Sequence, residues 1–326
     1  MKILAGDVGG TTTRLQLVDF ATPELRGSVA AEQLFESGRY PSLATLAGEF
    51  LDSNASEPID AACLAVAGPV QEEPTGQRVQ LTNLPWNEES TRLADRLAIP
   101  HLSLVNDFQA AGFGVEALAD DDLLTLQAGN AIPHAPRLLV GAGTGLGVTL
   151  LAWQEGHYQP LPTEAGHMDF APASELQWRF WKSLHEKHGH VSWERLVSGP
   201  GLEAIYRFLL TEQGQQGGAD NPAAITTLAM NGRDSVATQA VDLFVELYGA
   251  FTGNLALASL PRGGVFIAGG IAPKIRDRMA RGDFIAAFRD KGRHTPLLSS
   301  LPVHLVTRSD LGLIGAALIA RRSLSH

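Results

Sequence analysis

The stretch Gly6-Asp7-Val8-Gly9-Gly10-Thr11-Thr12-Thr13-Arg14 sets two adjacent glycines and three threonines directly after the first apolar run, with a carboxylate at the mouth. Glycines let bare backbone amides approach an anion such as phosphate. A P-loop would need Gly-Lys, then Ser or Thr, feeding a helix. No Gly-Lys pair occurs in the chain, and Arg14-Leu15-Gln16-Leu17-Val18 alternates as a strand does. The loop therefore reads as the turn of a hairpin between Ile3-Leu4-Ala5 and Leu15-Gln16-Leu17. Asp7 beside bare amides has two readings. It can serve a Mg2+ site, directly or through water, that bridges nucleotide phosphates, or it can be a turn aspartate satisfying local amides.

A second segment, RLLVGAGTGLGVTLLAW, has the same grammar of strand, glycine loop and strand. Its glycines fall at every second position from Gly141 to Gly147 and no helical pattern follows, which excludes a dinucleotide fingerprint. One such loop is an ordinary tight hairpin; two in one chain point to a shared ligand and to two related domains. Asn106-Asp107 closes an apolar strand and opens a helical pattern, the place where open α/β sheets bind ligands. Asp107 there could take the proton of an attacking hydroxyl or cap the helix, and from these residues alone the cap is preferred. In PTEAGHMDF, Glu164 and His167 lie three apart, with Asp169 behind. An iron site would need helices and a second Glu-x-x-His, so hydrogen bonding to a polyhydroxylated substrate is the alternative. Glu194, ahead of Ser198-Gly199-Pro200-Gly201, adds a carboxylate or sits on a solvated helix face. His185, His188 and His190 read as an exposed helix end. Ser198 lacks the preceding glycine of a hydrolase elbow.

The elements that must position these groups alternate. Tyr40–Leu51 has helical apolar spacing, Ala61–Ala67 reads as a buried strand, Glu88–Leu97 as a helix and His101–Val105 as a strand. Beyond the second glycine loop, 174–188, 201–213 and 236–260 read as helices and 214–221 as a turn-rich loop. Gly264–Gly270 reads as a strand entering a glycine pair with Pro273 opening a helix, and 301–306 and 313–322 as a last strand and a closing helix.

With 326 residues, 44% of them hydrophobic and 18% charged, the chain can bury two cores. A net charge of −10 without a basic run argues against nucleic-acid or anionic-membrane partners. The single cysteine, Cys63, excludes a disulfide framework within one chain and fits a reducing compartment. No export signal or convincing membrane span is visible, so a soluble cytoplasmic protein is expected.

Taken together, GDVGGTTTR, LTNLPW, LVNDFQA, GAGTGLG, EAGHMDFAP, ERLVSGPGL, FIAGGIAP and the closing GLIGAA follow one another through nearly the whole chain. In this they resemble the bacterial glucokinase family, sugar kinases of the actin-like ATPase superfamily. The resemblance implies an α/β, two-domain actin-like (ribonuclease H-like) fold. Its active-site cleft would lie between a small domain, 1–106 plus 308–326, and a large domain, 107–307. It implies that Gly6, Asp7, Val8, Gly9, Gly10 and Thr11 form the first loop for the ATP phosphates, with Asp7 near Mg2+. Gly143, Thr144 and Gly145 would belong to the second loop, and Gly269 and Gly270 would lie near the adenosine. Asn106, Asp107, Glu164, His167 and Glu194 match sugar-contacting positions, and Asp107 matches the catalytic base, which raises it above a mere cap. The implied reaction phosphorylates the 6-hydroxyl of D-glucose with ATP, giving glucose 6-phosphate and ADP, in a homodimer. The alternatives are a kinase for mannose, fructose or an amino sugar, a donor other than ATP, and a sugar-sensing regulator without catalysis. Thr12 replaces the family's usual Asn and Ala165 a usual Gly. The cysteine-rich zinc motif of the neighbouring repressor–kinase family is missing.

Overall fold

A computed structural model of the chain describes residues 1–21, 25–81 and 84–324. Thr82 and Asn83 of the LTNLPW motif lie outside the described residues. The chain divides into two compact units: Met1–Ala119 with Gln154–Pro160 and Asp310–His326, and Asp120–Trp153 with Leu161–Ser309.

In the first unit, β1 (Lys2–Val8) and β2 (Thr12–Asp19) form the expected antiparallel hairpin, Leu4 opposite Leu17 and Ala5 opposite Gln16. β3 (Ser28–Glu36), which has a single buried residue and no clean apolar alternation, continues the hairpin outward. α1 (Leu43–Asn54) starts later than the apolar spacing from Tyr40 suggests, because the Ser42 hydroxyl accepts the Thr45 amide and sets the start. β4 (Ala61–Val66) is buried at every position and lies parallel to β1, as a continuous apolar run predicts. β5 (Val70–Glu73), β6 (Gly76–Gln80) and β7 (Asn87–Glu89) make a small separate sheet. Residues 88 and 89 thus belong to a strand, and the helix expected from Glu88 is α2 (Ser90–Leu97). β8 (His101–Asn106) then leads directly into α3 (Asp107–Gly114). The main sheet runs β3-β2-β1-β4-β8.

The second unit contains β9 (Leu123–Gln127), β10 (Arg137–Ala142) and β11 (Leu146–Gln154) up to Trp153; β12 (His157–Thr163), next to β11 in the same sheet, counts with the first unit as far as Pro160. The helices α4 (Glu175–His188), α5 (Gly199–Glu212), α6 (Pro222–Met230) and α7 (Ser235–Ser259) follow. Then come β13 (Val265–Ala268), the short helices α8 (Arg276–Met279), α9 (Asp283–Arg289) and α10 (Thr295–Ser300), and β14 (Val303–Val306). The sheet order is β12-β11-β10-β13-β14-β9. Apart from the added antiparallel β9, this repeats the first sheet: a glycine-turned hairpin, its outer strand, then two parallel strands on the inner side. The internal repeat inferred from the two glycine loops is therefore a repeat of whole sheets.

The chain ends in α11 (Leu311–Arg322), which packs against α3 backbone to backbone. A Cβ on Gly315 would fall 1.7 Å from the Ala110 carbonyl oxygen, and one on Gly114 2.3 Å from that of Leu311. This approach keeps α3 in the first unit. The boundaries of the two compact units fall at 119/120, 153/154, 160/161 and 309/310.

Candidate functional site

The first glycine loop is shorter than the motif that announces it. Gly6, Asp7 and Val8 belong to β1, with Gly6 and Val8 buried in the sheet, so the turn proper is Gly9-Gly10-Thr11. Its carbonyls are tied back. The Gly9 amide donates to Thr12 O at 2.9 Å, the Ser37 hydroxyl to Gly9 O at 2.9 Å, and the Ser37 amide to Thr11 O at 2.9 Å. Buried Thr13 shares a further hydroxyl contact with Ser37 at 2.9 Å. The amides of Gly10 and Thr11 meet no protein acceptor among the described residues, which leaves them for an anion. Ser37 was missed in the sequence because it follows a strand with no motif around it.

Asp7 stands opposite Arg14 across the hairpin. Its carboxyl is pushed up, first by burial among the surrounding backbone and then by the Asp107 carboxylate, with Arg14 opposing. Solvent still reaches the side chain. A carboxyl whose proton affinity is raised by a neighbouring carboxylate suits a divalent cation. Mg2+ needs only one or two protein carboxylates beside phosphate oxygens and water, so the donor set fits Mg2+ on a bound nucleotide.

Asn106, not Asp107, caps α3. Its side-chain oxygen accepts the amides of Phe108 at 3.0 Å and Gln109 at 3.2 Å, while its nitrogen donates to Gly68 O at 3.2 Å. Asn106 is thus engaged at both ends of its amide. Asp107 is the first helical residue, and its own contact to the Phe108 amide, at 2.7 Å, shares a hydrogen that Asn106 already accepts. Burial pushes the Asp107 carboxyl up, against backbone and Asn106 hydrogen bonds that lower it. Such a shift suits a general base at a strand's carboxyl end.

In the second unit, β10 and β11 pair with Gly141 opposite Gly147 and leave 143–145 as the turn. The Gly143 amide closes the turn on Gly145 O at 2.8 Å, and the amides of Thr144 and Gly145 meet no protein acceptor among the described residues. Wholly buried Tyr248 of α7 fixes the end of β10, accepting the Ala142 amide at 3.1 Å and donating to Val140 O at 3.1 Å. Nothing in the helical spacing of α7 marks Tyr248 as different from a core aromatic. Gly269 stands at φ +87°, where a Cβ would be 2.4 Å from Ala142 O, so it lies against the end of this same loop. Gly270 faces open space.

Glu164 and His167 flank a single 3-10 turn, exposed, with Nε2 of His167 3.9 Å from the Glu164 carboxylate. Glu194 sits at another short turn, 193–195, and its carboxylate accepts the Leu146 amide at 2.9 Å. The two turns are stitched together: the Trp193 amide donates to Met168 O at 3.0 Å and the Phe170 amide to Val191 O at 2.9 Å. Asp169 pairs instead with His190 at 2.9 Å, and His185 stacks on Trp181. Ser198 caps α5 through the Gly201 amide. The structure therefore brings Glu164, His167, Glu194, Gly143–Gly145, Gly269 and Gly270 together in the second unit. In the first unit it groups Asp7, Gly9–Thr11, Asn106 and Asp107. A cavity of about 990 Å³ along α7 and α9, lined in part by Gln177, Trp193 and Glu246, includes none of these candidates.

Two hairpin sheets of the same strand order, with a carboxylate of raised proton affinity after β8, define an α/β architecture shared with a solved glucokinase. A glucokinase crystal structure from an Antarctic psychrotroph superposes with a TM-score of 0.88 at 30% identity, over 98% of this chain and 99% of that one. The glucokinase family model matches residues 4–323. Relatives include glucokinases of Nostoc sp., 44% identical over 98% of this chain and 99% of that protein, and of Tolumonas auensis, 37% identical over 100% and 98%. The chain belongs to the glucokinase family.

Proposed function

We propose that this chain phosphorylates D-glucose at its 6-hydroxyl with ATP, giving glucose 6-phosphate and ADP, with Asp107 as the base. The observation that carries the mechanism is the division of labour at the start of α3. Asn106 holds the Gln109 amide and shares that of Phe108, so α3 is capped without Asp107, whose carboxyl, raised by burial, can serve proton transfer. Asp107 takes the hydroxyl proton as the sugar oxygen bonds to the γ-phosphorus; the bond from that phosphorus to its bridging oxygen breaks and ADP leaves with the electron pair. The amides of Gly10, Thr11, Thr144 and Gly145 hold phosphate oxygens as preorganised dipoles. Mg2+, held on the ATP phosphates with Asp7 as its direct or water-mediated protein ligand, would neutralise phosphate charge. Glu164, His167 and Glu194 bind sugar hydroxyls, and Asn106 orients Asp107 and the hydroxyl beside it. A site built of such partners rejects analogues that leave them unpaired.

We also read the protein as a cytoplasmic homodimer. No described helix is long and apolar enough to cross a membrane. Burial pushes the Cys63 thiol up to about 12, so it is inert to oxidation. Trp178, 49% exposed and stacked on Trp181, gives α4 an exposed aromatic pair that a second copy would cover. Light scattering should then give about twice the 34.7 kDa chain mass.

A coupled assay of purified protein over a panel of hexoses and phosphoryl donors tests the function. Glucose with MgATP should give the highest kcat/KM. A clear preference for mannose, fructose or an amino sugar, or turnover only with another donor, would overturn the assignment.

A further inference from the structure

We infer that Glu194 is a positioning residue for the second glycine loop as well as a sugar ligand, and that its carboxylate couples sugar binding to nucleotide binding. The inference rests on the assignments above. Leu146, the first residue after that loop, is gripped from two sides by the sugar-side turns. Its amide is held by Oε2 of Glu194 at 2.9 Å. Its carbonyl oxygen would be 2.3 Å from a Cβ on Gly166, which sits between Glu164 and His167. A Cβ on Gly145 would fall 2.7 Å from the same Oε2 of Glu194. A side chain at Gly145 would therefore have to push the Glu194 carboxylate off the place from which it holds Leu146.

The far end of the segment is fixed as well. The Ser198 hydroxyl donates to the Glu194 carbonyl at 2.6 Å, and the Gly199 amide donates to Gly143 O at 2.8 Å. The loop from Gly143 to Leu146 is thus clamped at both ends by residues 194–199. The Oε1 atom of Glu194 has no protein partner among the described residues, so it can accept from a sugar hydroxyl while Oε2 holds the loop. A sugar that orders this carboxylate orders the amides of Thr144 and Gly145 too, and nucleotide binding then meets a smaller ordering cost.

Calorimetric binding of a non-hydrolysable ATP analogue, with and without glucose, reads the coupling. In the wild type, glucose should tighten the analogue about fivefold or more, the lower end of ordinary coupling between sites. Glu194→Ala should weaken the analogue about fivefold, the effect of one hydrogen bond, and abolish the tightening. Glu194→Gln keeps an oxygen for the Leu146 amide, so analogue affinity without glucose should stay within about twofold of wild type. A carboxylate that only holds Leu146 would leave the glucose-induced tightening of the analogue unchanged in Glu194→Gln, whereas the coupling reads as a reduced tightening there. Gly145→Ala should weaken the analogue as Glu194→Ala does, yet add nothing in the Glu194→Ala background, where no carboxylate remains to collide with. The same cycle read in melting temperature tests the clamp without any ligand, so it stands even if the wild type fails to phosphorylate glucose. Equal analogue affinity in all the variants, or a Gly145→Ala penalty undiminished beside Glu194→Ala, overturns the inference.

Discussion

The two glycine hairpins have the same backbone but different surroundings. Each is the turn between the first pair of strands in its sheet, and each presents two consecutive amides without protein acceptors. The first is tied down by a neutral hydroxyl, Ser37, and lies within the field of two carboxyls, Asp7 and Asp107, both with raised proton affinity. The second is tied down by a carboxylate, Glu194, and closed at its base by the buried Tyr248 hydroxyl. The repeated scaffold carries two carboxyls of raised proton affinity beside one copy and a carboxylate bonded to the backbone of the other. The backbone cradle can be read as common to both, and the side chains around it decide what each copy does.

Substitutions that separate chemistry from alignment test this contrast. Asp107→Asn should show the largest effect. Turnover should fall by about 10²–10⁴, the range for losing a general base, while glucose affinity by calorimetry and melting temperature stay near wild type because Asn106 still caps α3. Turnover within a few-fold of wild type would remove the chemical half of the contrast. Glu164→Gln, on the alignment side, should raise glucose KM about tenfold, as expected when a charged acceptor is lost, with ATP KM little changed. A shift in ATP KM alone would move Glu164 to the nucleotide. Ser37→Ala frees the Gly9 carbonyl and loosens the first turn, so ATP KM should rise about fivefold, one hydrogen bond's worth, with glucose KM unmoved.

Asp7→Asn removes the proposed Mg2+ ligand and so lowers turnover, yet in stability it should act with the opposite sign. The folded-state proton affinity of Asp7 is raised, so its favourable contribution is present below the ordinary pKa of 3.8 and is lost as pH rises through the folded value. At pH 7 the ionised carboxyl costs stability. Asp7→Asn should raise the melting temperature by about 1–2 °C, after discounting for solvent screening, and the gap should close on acidification. A variant that melts lower than wild type at neutral pH would make Asp7 a turn aspartate whose bonds hold the loop.

Much of this was legible in the sequence because glycine spacing and period-2 alternation are local signals. They locate both hairpins, the buried β4 and the strand ahead of Asp107. The resemblance supplied the candidate residues, and the fold gathers them into two groups as their units require. Elements defined by distant partners were not legible. β3 and the small β5-β6-β7 sheet have mixed burial patterns, and α6 is a short helix of nine residues with only Ile225 and Ala229 buried. The choice between base and cap at Asp107 could not be made from composition, since Asn106 and Asp107 both cap well; only the hydrogen bonds to Phe108 and Gln109 assign the task. The hold of Glu194 on Leu146 joins residues 48 apart in sequence and leaves no periodic trace.

The most direct test of the central claim is the pH dependence of kcat/KM for glucose in the wild type and in Asp107→Asn. If Asp107 is the base, the wild type should lose activity about tenfold per pH unit on the acid side, below a pKa lying above the ordinary aspartate value of 3.8. The variant, reduced throughout, should lack that limb. An acid limb of the same position and slope in both proteins would contradict the assignment of Asp107 as the base.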